Sequence, residues 1–118
     1  MKNLWHYIQE VRSAWDMDTS EDEEAWDGSR ASTGQSRVSA LVLKHFCGGK
    51  VLKGTYYHWR SNKNILHYWN VIDGVTVDIT RDELPETAEI EHIRDATNDE
   101  FGVETNRKYE LLLKRTGL

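Results

Sequence analysis

Apolar positions recur along this chain with a period near 3.6 in some stretches and near two in others, and the alternation predicts most of its elements. Leu4, Ile8, Val11 and Trp15 fall at i, i+4, i+7 and i+11, so residues 3–15 are expected to form an amphipathic helix. Val38, Leu41, Val42 and His45 share one helical face, and Ala40, Leu43 and Phe46 cover much of the rest. A helix that is apolar nearly all round is a central, buried one. It should stop at Gly48-Gly49, a glycine signal for a helix C-terminus. Residues 50–59, rich in Val, Tyr and Trp, read as a strand. Tyr109, Leu112 and Leu113 at i, i+3 and i+4 predict a last helix, from about Asn106, that docks on the core.

The period-two stretch is ILHYWNVIDGVTVDIT, which reads as a hairpin turning at Asp73-Gly74. With those two residues in the turn, Ile72 pairs with Val75, Asn70 with Val77 and Trp69 with Asp78. One face then carries Tyr68, Asn70, Ile72, Val75, Val77 and Ile79, which suits a core. The other carries His67, Trp69, Val71, Thr76, Asp78 and Thr80. His67 and Asp78 become diagonal neighbours, about 7–8 Å apart at Cα, a gap their side chains can close.

The remaining segments are polar. Ser20-Glu21-Asp22-Glu23 fits a capping box, which predicts a short solvated helix reaching about Trp26, with its acids near the positive helix end. Residues 27–35, DGSRASTGQ, read as a loop. After Pro85 the chain is polar and acidic until the last helix.

Composition narrows the class. The 118 residues suit one domain spanning 1–118, with 38% apolar residues, five Trp and five Tyr to build a core and 30% charged residues to solvate the exterior. No apolar run approaches the ~20 residues of a membrane helix, and MKNLWHYIQE lacks a secretory apolar region, so a cytoplasmic protein without membrane contact is expected. A single cysteine, Cys47, excludes an internal disulfide. The net charge of −5 argues against nucleic-acid binding, which draws on phosphate neutralisation. The basic, aromatic stretch from Lys50 to Lys63 is better read as strand aromatics that pack.

Gly34-Gln35-Ser36 opens the most apolar helix, and His67 and Asp78 follow on the hairpin. This is the order nucleophile, base, orienter. A helix N-terminus favours an anionic nucleophile, an imidazole can take its proton, and a carboxylate holds that imidazole in one tautomer. Backbone amides at the helix start could serve a developing oxyanion. Taken singly, Ser36 is a helix cap, His67 a half-buried strand residue and Asp78 a turn former; their order and shared face raise the chemical reading only together with a family resemblance. Trp26, Trp59 and Trp69 are expected in the core or in a cleft wall.

The run GQSRVSALVLKHFCGGKVLKG, followed by HYWNVIDGVTVDIT and NRKYELLLKR, resembles the YunG-like family of small bacterial and phage proteins. The His-x-Trp…Asp hairpin is in turn similar to transglutaminase-like proteins. The resemblance implies an α+β, papain-like or transglutaminase-like fold: a central buried helix on a small antiparallel sheet, flanked by N- and C-terminal helices. It implies a catalytic triad of Ser36, His67 and Asp78, with Gln35 and Trp69 as substrate or oxyanion contacts. The activity implied is that of a hydrolase or acyl transferase acting on an amide, isopeptide or thioester bond of a protein or peptide-like partner, without a cofactor. Ser36 departs from the family pattern, which has Cys there; a thiol is partly ionised near neutral pH and a hydroxyl is not. Three readings stay open: a replaced cysteine, a pseudoenzyme, or a slow serine variant. The alternative function is a non-catalytic binding module, an inhibitor or adaptor, on the same fold.

Other chemistries fit less well. The G-x-S-x-G elbow and its Ser, Asp, His order are absent. No pair among His6, His45, His58, His67, His92 and Cys47 has zinc-finger or zincin spacing, so no metal site is expected. Gly48-Gly49 ends a helix where a phosphate loop would begin one. Cys47 reads as a small buried hydrophobe and not as a nucleophile.

Overall fold

The computed structural model describes residues 3–59 and 61–118, and among these the chain is α+β, with three α-helices and a four-stranded antiparallel sheet. Helix α1 spans Leu4–Ser13 and is capped by Asn3, whose side chain accepts the His6 amide. Helix α2 spans Ser36–Cys47 and ends at Gly48, as the glycine signal predicts. Strands β1 (Lys50–His58), β2 (Lys63–Ile72), β3 (Val75–Val77) and β4 (Glu91–Asp95) follow, and α3 (Val103–Arg115) comes last. The strand order is β3-β2-β1-β4.

The β2–β3 hairpin has the register read from the sequence: Ile72 faces Val75 and Asn70 faces Val77. Asp73 and Gly74 both have positive φ, the turn that matches strand twist. The ladder stops one pair early. β3 ends at Val77, so Trp69 and Asp78 are not a strand pair.

Helix α2 lies on the face of the sheet that carries Tyr68, Asn70 and Ile72. Val38, Val42 and Leu43 of α2 pack with Ile72, Val77, Ile79, Val11, Trp15 and Leu112. The Asn70 amide donates to Ala40 O at 2.9 Å, which satisfies a buried polar side chain that this strand presents to the helix. The opposite face carries His67 and Trp69, and the connection from β3 to β4 crosses it from one sheet edge to the other. Gly54, opposite His67 in β1, makes room for this crossing: a Cβ there would lie 2.5 Å from the Ile90 side chain and 3.3 Å from the Trp69 ring.

Several expectations are corrected. The run from Asp16 to Asp27 is not a solvated helix capped by Ser20. The capping box belongs to Asp16 and Thr19, around a 3₁₀ turn at Met17–Thr19. The buried Ser20 hydroxyl instead donates to Thr33 O at 2.7 Å. Acids of this run pair with bases of the helices: Glu21 with Arg37, Glu23 with Lys108, and Asp16 and Asp18 with Arg115. Lys108 is 6% exposed and also donates to Asp18 O, so the segment is clamped to α3. β4 lies in a stretch read only as polar and acidic, because all five of its residues are exposed on a sheet edge and lack an alternating pattern. α3 begins at Val103, somewhat before the expected Asn106. Leu41 is only half-buried, whereas Leu43 is completely so. Of the two places expected for Trp59, the core is excluded, since it is 64% exposed, and the cleft wall holds, since Trp59 and Tyr57 line a groove of about 440 Å³ with Pro85 and His92.

Candidate functional site

The site forms where β3 leaves β2. In a two-residue hairpin the pair nearest the turn exchanges backbone hydrogen bonds and every second pair repeats this, so Ile72, Asn70 and Tyr68 direct their amides toward the β3 side. Because β3 stops at Val77, the Tyr68 amide loses that partner. It donates instead to the hydroxyl of Ser36 at 3.4 Å. The first residue of the central helix is thereby set against the free edge of β2, next in sequence to His67.

His67 is 1% exposed. Its Nε2 lies 2.8 Å from Asp78 Oδ2 and 3.0 Å from Oδ1. Asp78, released from the ladder one residue past β3, turns its carboxylate onto the ring edge. That contact assigns the Nε2 proton to the Asp78 side and leaves Nδ1 as the acceptor of the neutral ring. The ring is fixed on two further sides. Trp69 stacks on it at 5.9 Å between centroids, and Tyr56 meets it edge-on at 6.3 Å. Burial pushes the Tyr56 phenol up to about 12, so it stays protonated beside the imidazole.

The segment leading into Ser36 is fixed by its own polar side chains. Gln35 is fully buried; its amide nitrogen donates to Asp16 O at 2.9 Å and its amide oxygen accepts the Thr19 hydroxyl at 2.9 Å. The structure ties Gln35 to the 3₁₀ turn through its amide oxygen and one of its two amide hydrogens. Gln35 also makes no side-chain cap on α2. The backbone amides of the first turn are then the donors a helix start leaves over. Gly34 sits at φ +71°, and a Cβ there would lie 2.3 Å from Ser20 Oγ and 2.6 Å from the Asp22 amide, so only glycine fits.

Ser36 is 9% exposed. Among the described residues it shares no hydrogen bond with His67, and the hydrogen bonds of the His67 ring all run from Nε2. A groove of about 580 Å³ reaches Asp78 from the α1 side, with Trp5, Ile8 and Arg12 on one wall. Cys47 lies at the far end of α2, and burial pushes its thiol up, away from reactivity.

Two residues of this neighbourhood fall outside the sequence reading of the site. Glu83, in a 3₁₀ turn at Arg81–Glu83, accepts the Gly34 amide at 2.8 Å and lies within electrostatic reach of His67, Asp78 and Asp22. Burial raises its pKa above the usual carboxylate range, only partly opposed by that hydrogen bond and by His67. No spacing signal marks Glu83. The buried Thr80, with a hydroxyl that has no protein partner among the described residues, shares the His67 face by strand parity, which is a legible signal.

Fold and site together define an α+β protein whose central helix begins beside a buried, carboxylate-bonded histidine. The chain belongs to the YunG protein family, whose sequence model matches residues 3–117. It is similar to a Bacillus subtilis (strain 168) protein described as "Uncharacterized protein YunG", with 28% identity over 98 residues, covering 83% of this chain and 76% of the relative. No solved structure matches the chain. Among the described residues no helix is long and apolar enough to cross a membrane, and no cluster of three His, Cys, Asp or Glu side chains could hold a metal ion.

Proposed function

We propose that this protein carries a papain-like or transglutaminase-like acyl-transfer site, with position 36 as nucleophile, His67 as general base and Asp78 as its orienting carboxylate. The observation that carries this reading is the bond from His67 Nε2 to Asp78 beside the start of a buried helix. An imidazole held through one nitrogen keeps the other as a base of defined direction. The reaction class is cleavage or transfer at an amide, isopeptide or thioester bond. The nucleophile at position 36 adds to the carbonyl while His67 takes its proton, and the leaving group departs with that proton as an amine or a thiol. Water or an amine then releases the acyl group. The first-turn amides of α2 supply the oxyanion donors in this reading, and Trp69 packs behind the base. The partner is a protein or peptide-like acyl donor met in the cytoplasm.

A second reading has its own support. Residue 36 is serine, and its hydroxyl is engaged by the Tyr68 amide, which suits a pseudoenzyme that binds a target at the same site. One experiment separates the two. Ser36→Cys places a thiol under the helix N-terminus and beside His67, both of which favour the thiolate. Iodoacetamide at pH 6–7 is expected to label the new thiol at least ~10-fold faster than Cys47, measured by peptide mass spectrometry, and His67→Ala should remove most of that advantage. A new thiol no faster than an ordinary exposed one, and indifferent to His67, would establish the binding-module reading instead.

A further inference from the structure

The crossing between β3 and β4 does more than cover a sheet face, because it brings a carboxylate to the peptide that leads into α2. Glu83 Oε1 accepts the Gly34 amide at 2.8 Å, over a separation of 49 residues. Gly34 is gripped from its other side as well, since its carbonyl accepts the Glu21 amide at 2.9 Å. Two residues on, the Ser36 hydroxyl accepts from Tyr68 at the free edge of β2. The same carboxylate lies within electrostatic reach of His67 and Asp78 on one side and Asp22 on the other, with the Tyr56 phenol also facing it. One group thus spans the two halves of the site, the helix start and the histidine hairpin.

We infer that Glu83 is a positioning residue of this site: by holding the Gly34 N–H it aims residue 36 at the β2 edge beside His67. This rests on the acyl-transfer reading for its consequence in chemistry, but the positioning itself can be tested without it. Only an acceptor at the end of a side chain of this length is required, so Gln should replace Glu and Ala should not. A group that merely filled space would not show this rescue.

The first readout is amide hydrogen exchange by NMR on the natural Ser36 chain. Glu83→Ala is expected to speed exchange at Gly34 and, through the shift of Ser36, at Tyr68, by at least ~10-fold each; Glu83→Gln should keep both within ~2-fold. The second readout is iodoacetamide labelling in the Ser36→Cys background. There Glu83→Ala should slow labelling of the introduced thiol by ~10-fold at pH 6.5 and move its rate–pH curve upward, with Cys47 unchanged and Gln restoring the parent profile. Should the Ala variant not fold, Glu83→Asp, one methylene short of the Gly34 amide, takes its place. The inference is overturned if Tyr68 exchange is unaffected in Glu83→Ala, or if Gln behaves as Ala does. Failure of the acyl-transfer reading looks different: His67→Ala would leave labelling of the introduced thiol unchanged while the exchange results at Gly34 and Tyr68 still follow Glu83.

Discussion

Gly34→Ala tests whether the segment before α2 is built as tightly as its geometry implies. Two costs combine there. The backbone at φ +71° lies in the left-handed region, where a Cβ meets the following carbonyl at roughly 1–2 kcal/mol. The Cβ would also sit 2.3 Å from Ser20 Oγ, 2.6 Å from the Asp22 amide and 3.0 Å from the Glu21 amide. The serine hydroxyl can move only by giving up Thr33 O, and the two amides belong to backbone, so overpacking adds about 1–3 kcal/mol. The sum is a loss of about 2–5 kcal/mol, or roughly 8–20 °C in Tm for a chain of this size. Urea unfolding followed by far-UV circular dichroism measures it, with an unchanged m-value expected. Gly34→Asn separates the two costs. Asn tolerates the left-handed region but carries the same Cβ, so it should recover about 1 kcal/mol and no more. An Asn variant as stable as the parent would refute the contact argument, and an Ala variant costing under about 1 kcal/mol would refute both parts.

Two further outcomes follow from burial. Leu43→Ala, which empties a fully buried position on α2, should cost about 2–5 kcal/mol by urea unfolding, and Leu41→Ala, on the half-buried side of the same helix, clearly less. Equal costs would mean that the helix is rotated from the face described. Glu83→Gln should be at least as stable as the parent at pH 7. Burial raises the folded pKa of Glu83, so the folded state holds its proton more tightly than the unfolded chain, and the stability this confers is full below the unfolded value near 4.5 and lost as pH rises through the folded value. The difference in Tm between Gln and Glu should therefore shrink as pH falls toward 4.5, and a difference independent of pH would exclude a buried carboxylate.

The parts of this fold that are legible in the sequence are those where one periodicity holds over two or more turns. α1, α2 and the hairpin can be read because Val11, Val42 and Ile72 each belong to such a run. Strand parity alone places His67 and Asp78 on one face. It does not show that the ladder breaks after Val77, and that break is what frees the Tyr68 amide for Ser36. β4 is illegible for a physical reason: an edge strand exposed along its whole length has no buried face to write a pattern. The acid run misleads because Ser20 and Glu23 satisfy a local capping rule, while their actual partners, Thr33 and Lys108, lie 13 and 85 residues away. Glu83 carries no local mark at all; its role depends on a chain crossing that only tertiary structure reveals.

The clamp of Asp16, Asp18 and Glu23 onto Lys108 and Arg115 also sets an order of assembly during synthesis. Segments emerging from a ribosome acquire partners only as those partners are made. α1, α2 and the hairpin can associate early, since their mutual contacts are complete once the chain has passed Ile79. The segment that fixes Gln35 gains its ion pairs only with α3, because bases of that helix neutralise its acids and one of them, Lys108, is buried in doing so. A nascent chain therefore packs α1, α2 and the hairpin before Leu112 and the bases of α3 arrive, and the turn behind Gln35 is completed last.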